Sequence, residues 1–138
     1  MIAVVCVDDK RGTMFNHRRQ SQDRVLREAI LEKVGEKPLH VTPYTAKQFS
    51  PEQQPRLTIS DVCLSQAREG EYCFAEGEPL APHLESVEQI VLYKWNRTYP
   101  ADTFLDVSLD TSDWTLIETR DFQGSSHDQI TEEIYRKN

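Results

Sequence analysis

The chain has 138 residues, a formal net charge of -7, and 38% hydrophobic and 28% charged residues. Its length suits one domain, and its recurring aliphatic and aromatic clusters exclude a disordered chain. Apolar runs fall far short of the about 20 residues of a membrane span, and the apolar N-terminus reaches Asp8 without a basic flank, so we expect neither membrane insertion nor a secretory signal. Three cysteines without a CxxC spacing favour a reducing, cytoplasmic location.

Basic residues concentrate near the N-terminus, in a stretch from Lys10 to Arg27 that we call the basic segment. Six basic residues and one acidic residue give it a local balance of +5, so the rest of the chain sums to -12. A chain this acidic overall is not expected to bind nucleic acid, because no long-range attraction draws it to phosphates. The basic segment is either the binding site of one anionic ligand or a solvated surface.

The first two thirds of the chain alternate predicted strands and helices. The apolar run Ile2–Val7 predicts a buried central strand, and residues 10–20 lack an apolar period and predict a loop. Apolar residues at helical spacing predict a helix that begins after Ser21 or Asp23 and ends at Gly35. Further predicted strands are Leu39–Val41, Leu57–Ile59, Tyr72–Ala75 and Gln89–Trp95, and further predicted helical turns are Tyr44–Phe49 and Leu80–Val87.

The C-terminal third is typical of an antiparallel hairpin. Residues 114–119 alternate as in a strand, residues 124–126 predict a loop, and the apolar spacing in residues 129–136 fits a helix or a strand equally well. The pattern as a whole predicts a single α/β domain over residues 1–138, with a mostly parallel sheet closed by an antiparallel pair.

Common catalytic and metal-binding motifs are absent from the sequence. It contains neither a phosphate-binding loop, nor a dinucleotide fingerprint, nor a nucleophile elbow, and its four histidines lie far apart, so no metal site is predicted. Cys6 and Cys73 lie within apolar strand patterns, which favours small core residues over reactive thiols.

The order and spacing of these segments resemble dihydrofolate reductase. The similar segments, in chain order, are IAVVCVDDKRGTMFN, SQDRVLREAI, KPLHVTPYTAKQF, CFAEGEPLAPHL, QIVLYKWNRTYPADTFLD, WTLIETRDF and HDQITEEIYRKN. They cover nearly the whole chain, with a gap at about residues 64–71, where the family has an extra strand and helix. The resemblance implies a mixed sheet with flanking helices and a C-terminal antiparallel hairpin.

The resemblance also implies roles for three residues. Asp23 falls at the family's pterin-binding carboxylate, which assists protonation of the pterin ring; the alternative is a simple helix N-cap. Thr45 matches the threonine beside the cofactor phosphates. Gly77 remains from the glycine pair that lets backbone N–H groups approach the pyrophosphate.

Other positions depart from the family pattern. Pro43 stands where the family has a basic phosphate partner, Glu76 replaces the first glycine of the pair, and Glu78 follows it. Each carboxylate would repel a nearby phosphate by about 2–4 kcal/mol at an effective dielectric constant of about 20. The Pro-Trp of the family's mobile loop is replaced by residues 17–20, His-Arg-Arg-Gln. These departures imply that a conventional NADPH site is missing.

We therefore expect a divergent dihydrofolate-reductase-like protein without conventional NADPH-dependent reductase activity and without a cofactor. Arg18, Arg19, Tyr44 and Thr45 are expected to bind a small anionic ligand or a protein partner at the mouth of the cleft, beside Asp23. The sequence leaves open whether the chain is an enzyme.

The alternative is an NADPH-dependent reductase of a pterin-like substrate, with an altered dinucleotide site at Thr45 and Gly77 and with Asp23 as the catalytic acid. A third hypothesis is a nuclease acting through the basic segment, but the sequence offers no metal ligands or general base for it.

Overall fold

Ten strands form two sheets in the computed structural model, which describes residues 1–138. The strands are β1 (Ile2–Val7), β2 (Gly12–Phe15), β3 (Arg18–Arg19), β4 (Leu39–Val41), β5 (Leu57–Ile59), β6 (Tyr72–Phe74), β7 (Gln89–Lys94), β8 (Thr103–Phe104), β9 (Trp114–Phe122) and β10 (Ile130–Lys137). The main sheet has seven strands in the order β5-β4-β6-β1-β7-β10-β9, and the small sheet has the order β3-β2-β8.

The main sheet has a parallel part and an antiparallel part. Strand β1 lies between β6 and β7 and pairs in parallel with both, and β4 and β5 extend the parallel part beyond β6. Strand β10 runs antiparallel to β7, and β9 runs antiparallel to β10. The predicted mostly parallel sheet with a closing antiparallel pair is therefore confirmed. The ambiguous C-terminal segment is a strand because it has a hydrogen-bonding partner on either side.

The helices are short apart from the first. They are α1 (Arg24–Val34), α2 (Pro43–Ala46) and α3 (Cys63–Gln66), with 3-10 turns at Gln54–Arg56 and Ala81–Ser86. Helix α1 confirms its predicted bounds: the Asp23 side chain accepts from the backbone N–H groups of Val25 and Leu26, and Gly35 ends the helix with a φ of 64°. The predicted helix at residues 80–87 is instead a 3-10 turn over Ala81–Ser86.

The loop predicted for residues 10–20 is wrong, because it contains β2 and β3. These strands form a hairpin whose turn residues, Asn16 and His17, both have positive φ values of 52° and 60°. Such a turn matches the twist of paired strands. The sequence pattern missed the hairpin because its strands have four and two residues, and Met14 is the main buried apolar side chain among them.

The two faces of the main sheet bury separate cores, and β1 contributes to both. Ile2 and Val4 pack on the side of α1, whereas Ala3 and Val5 pack on the opposite side with α3 and the turn at residues 81–86. Cys6, near the end of β1, is only half-buried and packs at the margin of the α1 core. No helix in the structure has the length and apolar character needed to cross a lipid bilayer.

The three cysteines are all free thiols. Cys73 is fully buried, as predicted, and its Sγ lies 3.2 Å from Sγ of the equally buried Cys63. Burial raises the pKa of the Cys6 thiol well above its usual value.

Candidate ligand-binding cleft

The carboxyl ends of β1, β4 and β6 meet at one edge of the main sheet, and the small sheet lies beside them. Open α/β sheets place their ligands at this edge. The residues that follow these strands are Asp8 after β1, Thr42 after β4 and Ala75 after β6.

Glu76, just beyond β6, is the centre of a hydrogen-bonded cluster that we call the Glu76 cluster. The Arg19 guanidinium donates to both carboxylate oxygens, over 2.9 and 3.0 Å. The Thr45 hydroxyl and the Gln48 amide donate to Oε1 over 2.9 and 3.1 Å. The Glu76 side chain is only 8% exposed, so this carboxylate is desolvated and is stabilised by its partners instead of by water.

Tyr44 completes the cluster around Arg19. Its hydroxyl oxygen accepts from the Arg19 backbone N–H over 2.9 Å, and its ring lies 4.3 Å from the guanidinium carbon. Burial lowers the pKa of Arg19, but the hydrogen-bonded charge of Glu76 outweighs it and raises that pKa. The structure thus brings Arg19, Tyr44 and Thr45 together around an internal carboxylate, whereas Arg18 is exposed and outside the cluster.

Two neighbouring cavities lie beside the Glu76 cluster. The inner cavity encloses about 240 Å³ and is lined by Val5, Thr13, Ala75, Gly77, Glu78, Pro79, Leu80, Thr103, Phe104, Leu105 and Asp106. The outer cleft, of about 400 Å³, is lined by Met14, His17, Thr42, Tyr44, Glu76, Gly77, Glu78 and Thr103. Gly77, Glu78 and Thr103 line both, so the two spaces adjoin.

Two carboxyl groups lie in the inner cavity. Burial is the main cause that raises the pKa of Glu78 to about 7. Asp106 accepts from the backbone N–H groups of Leu80 and Ala81, each over 2.9 Å. Gly77 has a φ of 86°, and an added Cβ would lie 2.9 Å from the Met14 side chain, so glycine is required here.

Asp23 lines neither cavity. Its buried carboxylate caps α1 and accepts from the backbone N–H groups of Ser125 and Ser126, over 3.0 and 2.9 Å, and lies 2.9 Å from His127 Nδ1. Burial raises its pKa, but the hydrogen bonds from His127 and the backbone outweigh burial and hold that pKa well below its usual range. The N-cap geometry expected as one alternative is present, and the catalytic role implied by the resemblance stays a prediction.

Sequence reasoning missed the Arg19–Glu76 ion pair and the contact between Asp23 and His127. The partners are 57 and 104 positions apart in the chain. No local pattern signals such a pairing. The tertiary fold brings Arg19 of β3 to Glu76, which follows β6.

Comparison with solved structures identifies the architecture. The chain is similar to dihydrofolate reductase from Enterococcus faecalis complexed with NADP(H) and RAB-propyl, with a TM-score of 0.67 over 99% of this chain and 95% of that one. The fold is that of dihydrofolate reductase. Sequence identity is 13%, so the likeness concerns the dihydrofolate reductase fold alone. No protein-family model matches the sequence, and no curated protein matches it.

Proposed function

We propose that this chain is a small-ligand-binding protein that has the dihydrofolate reductase fold but no conventional NADPH-dependent reductase activity. One observation carries the proposal: the Glu76 carboxylate stands where the family resemblance puts the first glycine of the phosphate-binding pair. It already takes up the hydrogen-bond donors of Arg19 and Thr45. A phosphate arriving there meets a negative charge and donors that are already engaged.

The surrounding residues do not fit a dinucleotide either. The helix after β4 has four residues and begins with Pro43, which has no N–H to offer a phosphate. Glu76 within about 4–6 Å of a phosphate oxygen would cost about 2–4 kcal/mol at an effective dielectric constant of about 20. That cost equals a loss of about 30- to 1,000-fold in affinity.

The two cavities favour a ligand of a different charge. Neither is lined by lysine or arginine, and both are lined by Glu78, joined by Asp106 in the inner cavity and by Glu76 in the outer cleft. Apolar side chains such as Val5 and Leu80 complete the inner cavity. A compact neutral or cationic ligand with an apolar body and N–H donors fits this lining. The anionic ligand and the protein partner expected from the basic segment stay predictions.

Fluorescence titration with NADPH tests the missing cofactor site. We expect the natural chain to bind NADPH with a Kd above about 1 mM, and Glu76→Gly to bind it at least tenfold more tightly, because Arg19 and Thr45 are then free. Glu69→Gly, at an exposed acid outside the cleft, makes the same charge change and should have no such effect. Micromolar binding by the natural chain would overturn the proposal and favour the reductase alternative.

A thermal-shift screen tests the ligand class. Small nitrogen heterocycles with amino groups, their neutral analogues and small carboxylates or phosphates are compared on the natural chain and on Glu78→Gln. We expect the amino-substituted heterocycles to raise the melting temperature of the natural chain and to lose this effect in the variant. Stabilisation by the anions alone, abolished in Arg18→Ala, would refute this ligand class in favour of the anionic ligand.

A further inference from the structure

Three side chains away from the cleft form a hydrogen-bonded chain. His127 Nδ1 lies 2.9 Å from Asp23 Oδ2, and His127 Nε2 lies 3.0 Å from the Ser21 hydroxyl. Ser21 precedes α1, Asp23 caps that helix, and His127 comes from the loop between β9 and β10. The tertiary fold alone brings the three together.

The Asp23 carboxylate determines the direction of the hydrogen bonds among Ser21, His127 and Asp23. An ionised carboxylate can only accept, so a neutral imidazole in this position carries its proton on His127 Nδ1. Nε2 is then an acceptor, and the Ser21 hydroxyl donates a hydrogen bond to it. This is the order of donors and acceptors that activates a serine nucleophile by general base catalysis.

The imidazole has little freedom to leave this position. His127 is buried, and its ring stacks on that of Trp95 with centroids 4.5 Å apart and an interplanar angle of 26°. Backbone N–H groups of Leu26 and Ser126 hold the Asp23 carboxylate from two sides. A fixed carboxylate and a fixed ring are what orient a general base.

A second hydroxyl lies beside the serine. Tyr99 Oη is 3.1 Å from His127 Nε2, which has one lone pair and accepts from one hydroxyl at a time. When Ser21 donates to Nε2, the Tyr99 hydroxyl is free to donate elsewhere. It can therefore donate to the negative charge that develops on an acyl oxygen attacked by Ser21.

We propose that Ser21, His127 and Asp23 form an acyl-transfer site that hydrolyses short, polar acyl esters, an activity separate from ligand binding in the Glu76 cleft. Ser21 and Tyr99 meet the imidazole at Nε2 and do not line the neighbouring cleft. That cleft, of about 490 Å³, borders the imidazole and is lined by Trp95, Asn96, Arg97, Ser126, His127, Asp128 and Gln129. Only Trp95 among these residues is a large apolar side chain, which suits a short polar acyl group and excludes a long alkyl chain.

The reaction balances without a metal or cofactor. Ser21 Oγ bonds to the acyl carbon while its proton passes to His127 Nε2; the ester C–O bond then breaks, and the alcohol leaves with that proton. Water attacks the acyl-serine and gives a proton to Nε2, and return of that proton to Ser21 Oγ releases the acid. Ser21 and His127 are catalytic residues here, and Asp23 is a positioning residue.

Covalent labelling with a fluorophosphonate probe, followed by peptide mapping, tests the nucleophile. We expect the folded natural chain to be labelled at Ser21, Ser21→Ala to be unlabelled, and Ser125→Ala to be labelled like the natural chain. Ser125 is a matched control because its hydroxyl oxygen accepts from the backbone N–H of Arg24 at the same helix end. Failure to label Ser21, or equal labelling of the Ser21→Ala chain, would overturn the proposal.

Variants of the partners separate catalysis from structure. His127→Gln, checked for folding by circular dichroism, should slow labelling at least 100-fold, and Tyr99→Phe should slow hydrolysis of a short-chain ester about tenfold. Asp23→Asn should change the pH profile of labelling as well as its rate, since it removes the acceptor that holds the proton on Nδ1. Labelling at an unchanged rate in folded His127→Gln would refute general base catalysis.

Discussion

Glu76 and Asp23 are two buried carboxylates held by opposite means. Glu76 is held by the side chains of Arg19, Thr45 and Gln48. Asp23 is held largely by backbone N–H groups at a helix start and at the β9–β10 loop, which cannot move without unfolding their elements. The donors around Glu76 can therefore be removed by single side-chain substitutions, whereas those around Asp23 are backbone groups that every residue except proline supplies.

Of the substitutions considered, removal of the Asp23 carboxylate should lower the free energy of unfolding most. Asp23→Ala leaves the first turn of α1 uncapped and the N–H groups of Ser125 and Ser126 without their acceptor. We expect the free energy of unfolding to fall by about 3–4 kcal/mol, measured by urea denaturation. A loss below about 1 kcal/mol would show that the backbone donors find other partners.

Removal of the Arg19 guanidinium tests how much this side chain stabilises the buried Glu76 carboxylate. Arg19→Ala leaves Glu76 buried without its charge partner and should lower the free energy of unfolding by about 2–3 kcal/mol. Arg18→Ala, at the exposed neighbouring position, should change it by less than about 0.5 kcal/mol. Equal effects of the two substitutions would contradict the ion pair.

Glu78 differs from both carboxylates in its pH dependence, because burial outweighs the hydrogen bonds that its carboxyl receives. Its pKa of about 7 is above the value of an unfolded glutamate, so the folded chain binds this proton more tightly. The stability that protonation contributes is therefore present below about pH 4 and is lost as the pH rises through 7. Because the side chain is partly exposed, we expect Glu78→Gln to stabilise the protein by only about 1–2 kcal/mol at pH 8, and not at pH 4.

The contribution of Asp23 to stability should depend on pH in the opposite direction, measured by urea denaturation at a series of pH values. Its pKa is lowered by folding, so its contribution is present above the unfolded value of about 4 and is lost as the pH falls further. An Asp23→Asn chain should therefore lose less stability than the natural chain between pH 4 and pH 2. A parallel loss in both chains would exclude Asp23 as a source of acid sensitivity.

A further prediction concerns the Cys6 thiol at the margin of the α1 core. Burial raises the pKa of Cys6, and the carboxylate of Glu76 raises it further, so little thiolate is available. We expect Cys6 to react with a thiol reagent at least 100-fold more slowly in the folded chain than in urea. Labelling followed by peptide mapping checks this, and fast labelling of the native chain would show that the end of β1 opens.

Much of the fold was predictable because it depends on local patterns. The apolar run of β1, the capped and amphipathic α1, and the alternation in β9 are determined by neighbouring residues, and the order of such elements resembled a known fold that the structure confirmed. The hairpin of β2 and β3 was not predictable, because so short a pair of strands is stabilised by its tertiary contacts more than by its own propensity.

Local sequence patterns were enough to predict β1, the capped helix α1 and the acidic replacements at the phosphate-binding position. The ion pair of Glu76 with Arg19 and the hydrogen bonds of His127 with Ser21 and Asp23 are visible in the tertiary structure alone. The physical reason is that ion pairs and hydrogen bonds depend on distances of about 3 Å. Such distances between residues far apart in the chain follow from strand order and loop geometry, which no local pattern of residues encodes.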